Sequence, residues 1–392
     1  MLTQNFKLYK KSINLNRVKT KFLSLYIHIP FCTTRCSYCS FNVYTLGNFG
    51  STNFDIWLSA LSVELSLVTK KFKFLVIKTI FIGGGTPSLL GGLGLGAILG
   101  IIRSNFKFSS KIEITTEANP ESTSPTIFAQ LLKLGFTRIS IGMQSLAPKV
   151  LSALNRIHFP SRAFIAVTEA KNIGFKHVNL DLIYGAPEET NYDLKQSIKS
   201  AINSGIDHLS AYVLNIEKGT ILSRKLQNNT EKILNENIIA FKRNLIDKQL
   251  SNAGFYWYEI SNWSLPGGEC KHNISYLNDG EWCGVGPGSH SFVNGIRWWG
   301  IKNLDIYVLE LISGNLPIVN YEKLNNISIH IEMIMLRIKL RYGLPCNLLN
   351  SKELNKAIIL YKKKFLYSNF RNFMLTSRGH SLTDLVIEKI LN

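Results

Sequence analysis

Tyr26-Ile-His28-Ile-Pro30-Phe-Cys32-Thr-Thr-Arg-Cys36-Ser-Tyr38-Cys39-Ser-Phe41 decides the fold of this 392-residue chain. An apolar run leads straight into a loop whose cysteines are spaced C-x3-C-x2-C. Free cysteine is commonly a small core hydrophobe. Three within eight residues of one short loop argue instead for a shared ligand. Three thiolates can hold three irons of a four-iron cluster and leave the fourth open to an outside ligand. Most such clusters are closed by four cysteines.

Outward from that loop the chain alternates short apolar runs with helical patterns, as βα units do. The runs predict strands over Ser24–Ile29, Val76–Ile82, Lys111–Thr116, Thr137–Ile141, His177–Ile183 and His208–Leu214. They are rich in Ile, Val and Phe, residues that favour strands. Phe54, Trp57, Leu58, Leu61, Leu65 and Val68 recur at helical spacing. Ser124-Pro125 reads as a helix start and Gly135 as its stop, with Ser161 and Gly174 bracketing the next helix. Six units predict an α/β fold, a partial (βα)6 barrel with right-handed crossovers. Such a barrel carries its chemistry at the C-terminal ends of its strands. The cysteine loop, Gly83-Gly84-Gly85-Thr86-Pro87, Glu117-Ala-Asn119-Pro120, Gly142-Met-Gln144-Ser145, Asp181 and Asn215 all fall there.

The rhythm changes after Ile221. The chain therefore divides into a basic segment (1–23), the barrel core (24–220), an extension closing the barrel (221–320) and a small α-rich C-terminal unit of winged-helix pattern (321–392). Apolar content of 45% and aromatic content of 11% exclude a wholly disordered chain. No uninterrupted apolar run reaches the ~18 residues of a spanning helix. Leu89–Ile102, the richest stretch, is broken by glycines. Cys270, Cys283 and Cys346 form no disulfide framework, which fits a reducing, cytoplasmic setting.

The net charge of +19, from 45 basic and 26 acidic residues, favours anionic partners. That charge is spread, and no nucleic-acid module is legible, so a solvated basic surface is expected and nucleic acid is not. The first 54 residues contain no Asp or Glu. Residues 1–22 lack the Arg and Ser richness of a transit peptide and read as a ragged basic terminus.

The cysteine loop, with Tyr26–Pro30 and Tyr38 around it, resembles the radical S-adenosylmethionine (SAM) superfamily. The resemblance implies a [4Fe–4S] cluster on Cys32, Cys36 and Cys39, with the SAM amine and carboxylate at the open iron. It also implies a SAM pocket drawn from Tyr26, Tyr38, Gly84, Gly85, Thr86, Glu117, Gln144, Arg156, Asp181, Asn215 and His290. Taken singly, a glycine triplet is an ordinary turn, Glu117 a capping carboxylate and Arg156 a surface arginine. Their placement at successive strand ends carries the assignment.

Phe81-Ile-Gly-Gly-Gly-Thr-Pro87, Arg138-Ile-Ser-Ile-Gly142, Asn155-Arg156, Asn179-Leu-Asp181, Tyr258-Glu-Ile-Ser-Asn262 and Gly284-Val-Gly-Pro-Gly-Ser-His290 resemble the coproporphyrinogen-dehydrogenase-like branch over residues 24–300. The decarboxylase of that branch, HemN, has a further cysteine where this chain has Phe41, and a longer segment before the loop. Both departures resemble the haem-chaperone (HemW) branch, in which haem binding goes with an H-N-x-x-Y-W motif. Here that stretch is His272-Asn273-Ile-Ser-Tyr276-Leu277, with leucine for tryptophan. The resemblance implies His272 as a neutral imidazole ligand to haem iron. Without the motif, His272 would be a loop histidine bonded to nearby backbone, and Cys270 and Cys283 would be structural. The implied function is a chaperone passing haem to a respiratory-type haemoprotein acceptor, with peripheral membrane association. The alternative is an enzyme, the radical decarboxylation of coproporphyrinogen III to protoporphyrinogen IX.

Overall fold

The computed structural model describes residues 21–45, 52–72, 75–228, 235–278 and 280–392. Residues 1–20 of the expected basic segment lie outside them. Six strands pair in parallel and in chain order: β1 (Phe22–Ile29), β2 (Val76–Gly84), β3 (Lys107–Ala118), β4 (Arg138–Gln144), β5 (His177–Tyr184) and β6 (His208–Val213). These are the six expected strands, with β3 longer at both ends.

Strand alternation gives the sheet two unlike faces. One carries Leu25, Ile27, Ile80, Ile82, Ile139 and Ile141, buried with Trp57, Leu61 and Leu65 of the helix Phe54–Lys71. The other is polar. The register places Ser24 beside Thr79 and Glu113, Tyr26 beside Phe81 and Thr115, and Ser140 beside Asn179 and then His208. The barrel interior is therefore a hydrogen-bonded layer rather than a second oily core.

The crossover helices begin and end on local chemistry. The Ser124 hydroxyl accepts from Ile127 N–H, with Pro125 following, and Gly135 closes that helix in the left-handed region. The next helix starts at Pro160, with Phe159 rather than Ser161 at the cap position, and closes on Gly174. Pro87–Asn105 is long and apolar enough to cross a membrane by composition alone. Here it is the crossover from β2 to β3, and its Leu95, Ile98, Leu99 and Ile102 are buried in the main core.

The stretch after residue 221 contributes six more strands to this sheet. β7 (Tyr256–Glu259) and β8 (Asn262–Ser264) extend the sheet beyond β6. β9 (Trp282–Val285) pairs in parallel with β1. β10 (His290–Val293), β11 (Ile296–Gly300) and β12 (Ile318–Lys323) then follow antiparallel. The sheet thus holds twelve strands, ordered β12-β11-β10-β9-β1-β2-β3-β4-β5-β6-β8-β7. Strand β12 crosses residue 321, where the C-terminal unit was expected to begin. Beyond it come a helix (Asn326–Arg337), a short strand (Leu344–Pro345), a helix (Ser351–Lys362), a hairpin (Leu366–Ser368 with Asn372–Leu375) and a last helix (Thr383–Leu391).

Candidate functional site

The C-terminal ends of the parallel strands surround a cavity of about 420 Å3. Cys32, Cys36 and Cys39 lie on its wall, as do Tyr38, Gly84, Gly85, Thr86, Glu117, Gln144, Arg156, Asp181 and Asn215. Twelve of the fifteen expected site residues are thereby brought together; the exceptions are Tyr26, His272 and His290.

The cysteine loop is held from several sides. The Ser37 hydroxyl donates to the Ala153 carbonyl at 2.8 Å, and Ser37 N–H to the Leu154 carbonyl at 3.1 Å. Donors also face the sulfurs. The Thr86 hydroxyl is 3.5 Å from Cys32 Sγ, and Arg156 Nη1 is 3.5 Å from Cys36 Sγ. Arg156 is fixed in turn by Nη2 bonds to Asn119 Oδ1 (2.8 Å) and the Gly142 carbonyl (3.1 Å). Burial pushes the Cys32 thiol up to about 11, against the Thr86 hydroxyl. A metal would displace that proton, because the ligand is the thiolate. Among the described residues no three His, Cys, Asp or Glu side chains converge on one metal ion. A four-iron cluster asks for something else, one sulfur on each of three irons. Three loop thiols with hydroxyl and guanidinium donors aimed at their sulfurs fit that requirement.

Gly84 and Gly85 are dictated by close approach. Gly84 sits at φ 111°, where a Cβ would lie 2.5 Å from the His28 ring. At Gly85 a Cβ would lie 2.5 Å from the Phe31 carbonyl oxygen. The bare backbone at Gly84 donates its N–H to Glu117 Oε2 at 2.9 Å. Burial, and then the neighbouring Asp181 charge, push the Glu117 carboxyl up to about 7. Asp181 is also raised by burial, opposed by hydrogen bonds from Ser140 (2.9 Å) and Asn179 (2.8 Å). Two carboxyls crowded on one half-buried wall are suited to a cationic ligand, which relieves both the burial and the mutual repulsion.

Tyr26 lies below the cavity. His28 Nε2 meets the Asn42 carbonyl at 2.8 Å and so carries the ring proton, leaving Nδ1 to accept from the Tyr26 hydroxyl at 3.0 Å. His290 is exposed on outer strand β10 and stacks on Trp299, away from the cavity. His272 is buried in the barrel interior on the short helix Lys271–Leu277. Its Nδ1 is 2.8 Å from the Thr79 hydroxyl and its Nε2 2.9 Å from the Tyr276 hydroxyl. Its ring stacks on Phe81, and burial pushes its pKa down to about 3. Both nitrogens are occupied, so this conformation does not fit haem iron at His272. The aromatic neighbour expected at 277 comes instead from Trp282, edge-on to Tyr276. Cys270 is buried against Glu113, and Cys283 is buried within β9.

Three residues near the site were not among the expected ligands, although His28 and Asn119 lie in the stretches that carried the expectation. His28 shares the inward face with Tyr26, two residues earlier, and period-two spacing is the signal that could have found it. Asn119 bridges Arg156 to the Thr86 hydroxyl. Tyr212 forms cavity wall at the end of β6. Phe41 stands 60% exposed at the rim.

Fold and site together define a radical SAM domain, and the profile of the radical SAM superfamily matches residues 26–201. The chain is 44% identical to the heme chaperone HemW of Mycobacterium tuberculosis, over 94% of each chain. It is 36% identical to heme chaperone HemW of Escherichia coli, over 70% of this chain and 71% of that one. The chain belongs to the HemW family of heme chaperones. Among solved structures it is similar to coproporphyrinogen III oxidase HemN of Escherichia coli, with a TM-score of 0.83 at 21% identity, covering 96% of this chain and 91% of that one. That likeness is one of fold.

Proposed function

We propose that this chain is a haem chaperone that holds a site-differentiated [4Fe–4S] cluster on Cys32, Cys36 and Cys39, takes SAM in the adjoining cavity, and passes haem to a haemoprotein acceptor. The observation that carries the reading is the meeting of three thiols, two raised carboxyls and a bare glycine turn on one cavity, in a chain of the HemW family. A bound cluster supplies the open iron that chelates an amino acid and, when reduced, an electron for its sulfonium.

The chain's own residues do the rest. Arg156 and Thr86 present donors to the sulfurs. Gly84 and Gly85 let backbone approach the ligand, and Glu117 with Asp181 meets its positive charge. The acceptor for haem is a haemoprotein, and His272 is not assigned as an iron ligand, because both of its ring nitrogens are hydrogen-bonded.

The test is anaerobic purification followed by iron and sulfide analysis, SAM binding, haem titration and product analysis with coproporphyrinogen III. Cluster, SAM and haem binding without protoporphyrinogen IX is the expected outcome. Protoporphyrinogen IX formed with SAM and a reductant would replace the chaperone reading with the decarboxylase one.

A further inference from the structure

Beyond the end of β3, Asn119 lies on the cavity wall, and its backbone is fixed on every side. Pro120 follows it and keeps it extended, at φ −87° and ψ 142°. Its N–H donates to Ser88 Oγ at 3.2 Å. Its carbonyl accepts from Ser122 N–H and from Ser122 Oγ, both at 3.0 Å. The side-chain amide is thereby aimed at one spot.

The two ends of that amide have different partners, and chemistry decides which faces which. A guanidinium can only donate, so the amide oxygen meets Arg156 Nη2, at 2.8 Å. The amide nitrogen then donates to Thr86 Oγ1 at 3.2 Å. A threonine hydroxyl has a single hydrogen. With Asn119 donating to the oxygen, that hydrogen is left for Cys32 Sγ, 3.5 Å away. Arg156 follows Asn155, which turns the chain in the left-handed region at φ 55°. The Asn119 oxygen holds its guanidinium with Nη1 3.5 Å from Cys36 Sγ. One side chain thus directs an O–H onto one sulfur and an N–H onto another.

We propose that Asn119 is a positioning residue that sets the reduction potential of the cluster on Cys32, Cys36 and Cys39, by aiming the Thr86 and Arg156 donors at two of its sulfurs. The inference rests on the cluster reading given above. An added electron increases the negative charge on the sulfurs. Donors aimed at them therefore stabilise the reduced form and raise the potential. Asn119 acts through Thr86 and Arg156.

Its test is a redox titration of the full-length, anaerobically reconstituted protein without SAM. Dithionite supplies the electron, and electron paramagnetic resonance reads the reduced cluster. Iron and sulfide are counted first in every variant. Asn119→Leu approximates the side chain's shape without either hydrogen bond. It should keep a full cluster and shift the equilibrium about tenfold toward the oxidised form, a fall of ~59 mV for one electron. Thr86→Val removes the Cys32 donor alone and should shift it about threefold. The double variant should match Asn119→Leu, because the Cys32 bond can be lost only once. The proposal is overturned if Asn119→Leu keeps the wild-type potential, or if the double variant shows the full product of the two shifts. Loss of iron and sulfide from Asn119→Leu would make the residue structural and overturn it as well. A wild-type protein without a stoichiometric cluster would overturn the cluster reading, and this proposal with it.

Discussion

Glu117 gives the site a pH dependence of calculable sign. Its carboxyl is raised from an ordinary 4.5 to about 7 by burial and by Asp181. In the ligand-free protein the neutral form is favoured. The associated stability is full below 4.5, falls as the unfolded chain ionises first, and is gone above 7. With ~1.4 kcal/mol per unit, the swing is up to about 3 kcal/mol, reduced by whatever water the cavity admits. A cationic ligand reverses the preference. Binding SAM with Glu117 ionised must release a proton below pH 7. The apparent affinity at pH 5.5 should then be about 25-fold weaker than at pH 7.5, where the carboxyl is already ionised. Calorimetry on cluster-loaded protein in two buffers of different ionisation enthalpy reads both the affinity and the released proton. Glu117→Gln keeps an oxygen for the Gly84 N–H but cannot titrate. It should bind weakly and with a flat profile, losing ~1.5–3 kcal/mol for a bond to a charged partner. A wild-type affinity constant between pH 5.5 and 7.5, or the same slope in Glu117→Gln, refutes the assignment.

Further outcomes follow from the same geometry. Cys36→Ala should lose stoichiometric iron and sulfide, whereas Cys283→Ala should keep both; retention in Cys36→Ala removes the cluster from this loop. Gly84→Ala should form the cluster but bind SAM poorly, because its new methyl meets the His28 ring. Unchanged SAM affinity there means the turn is not part of the pocket. Glu113→Ala removes the acceptor of the Lys271 and His272 N–H groups and the carboxylate 3.6 Å from Arg138 Nε. An orphaned buried cation of this kind costs ~3–5 kcal/mol in urea unfolding, and a loss below ~1 kcal/mol contradicts the role.

Much of this was legible from residue pattern. Strand β4, Arg-Ile-Ser-Ile-Gly-Met-Gln, is buried along its whole length; Ile139, Ile141 and Met143 alternate with Arg138, Ser140 and Gln144, and that period of two carries the strand signal. The cavity follows from topology, since parallel strands in chain order put their loops at one end. The edge strands were harder. β9 returns to pair beside β1 some 250 residues away in sequence, and nothing local in Trp282–Val285 specifies a parallel partner. His290 and His272 failed to reach the cavity for a related reason. A motif gives the residue type, while burial and hydrogen-bond partners are set by elements distant in sequence. For His272 these are Thr79 of β2 and the Glu113 cap from β3.

That last point makes haem uptake a test of the closed state. Freeing the His272 Nε2 breaks the Tyr276 bond, and withdrawing the ring also breaks the Thr79 bond and the stack on Phe81. At ~1 kcal/mol for each bond and about as much for the stack, opening costs ~3 kcal/mol. A conformation so disfavoured is populated at about half a per cent, so any haem affinity that depends on it is weakened by about two orders of magnitude. Tyr276→Phe removes one bond from the closed state and leaves a buried nitrogen unsatisfied. The open fraction, and with it the apparent haem affinity, should rise about fivefold for ~1 kcal/mol. If the freed His272 takes the iron, the Soret maximum should match wild type, because the ligand is then the same imidazole, and His272→Ala should shift it. Binding by Tyr276→Phe that is equal to or weaker than wild type would show that the Tyr276 hydroxyl does not restrain His272, and that the closed helix is not what haem must open.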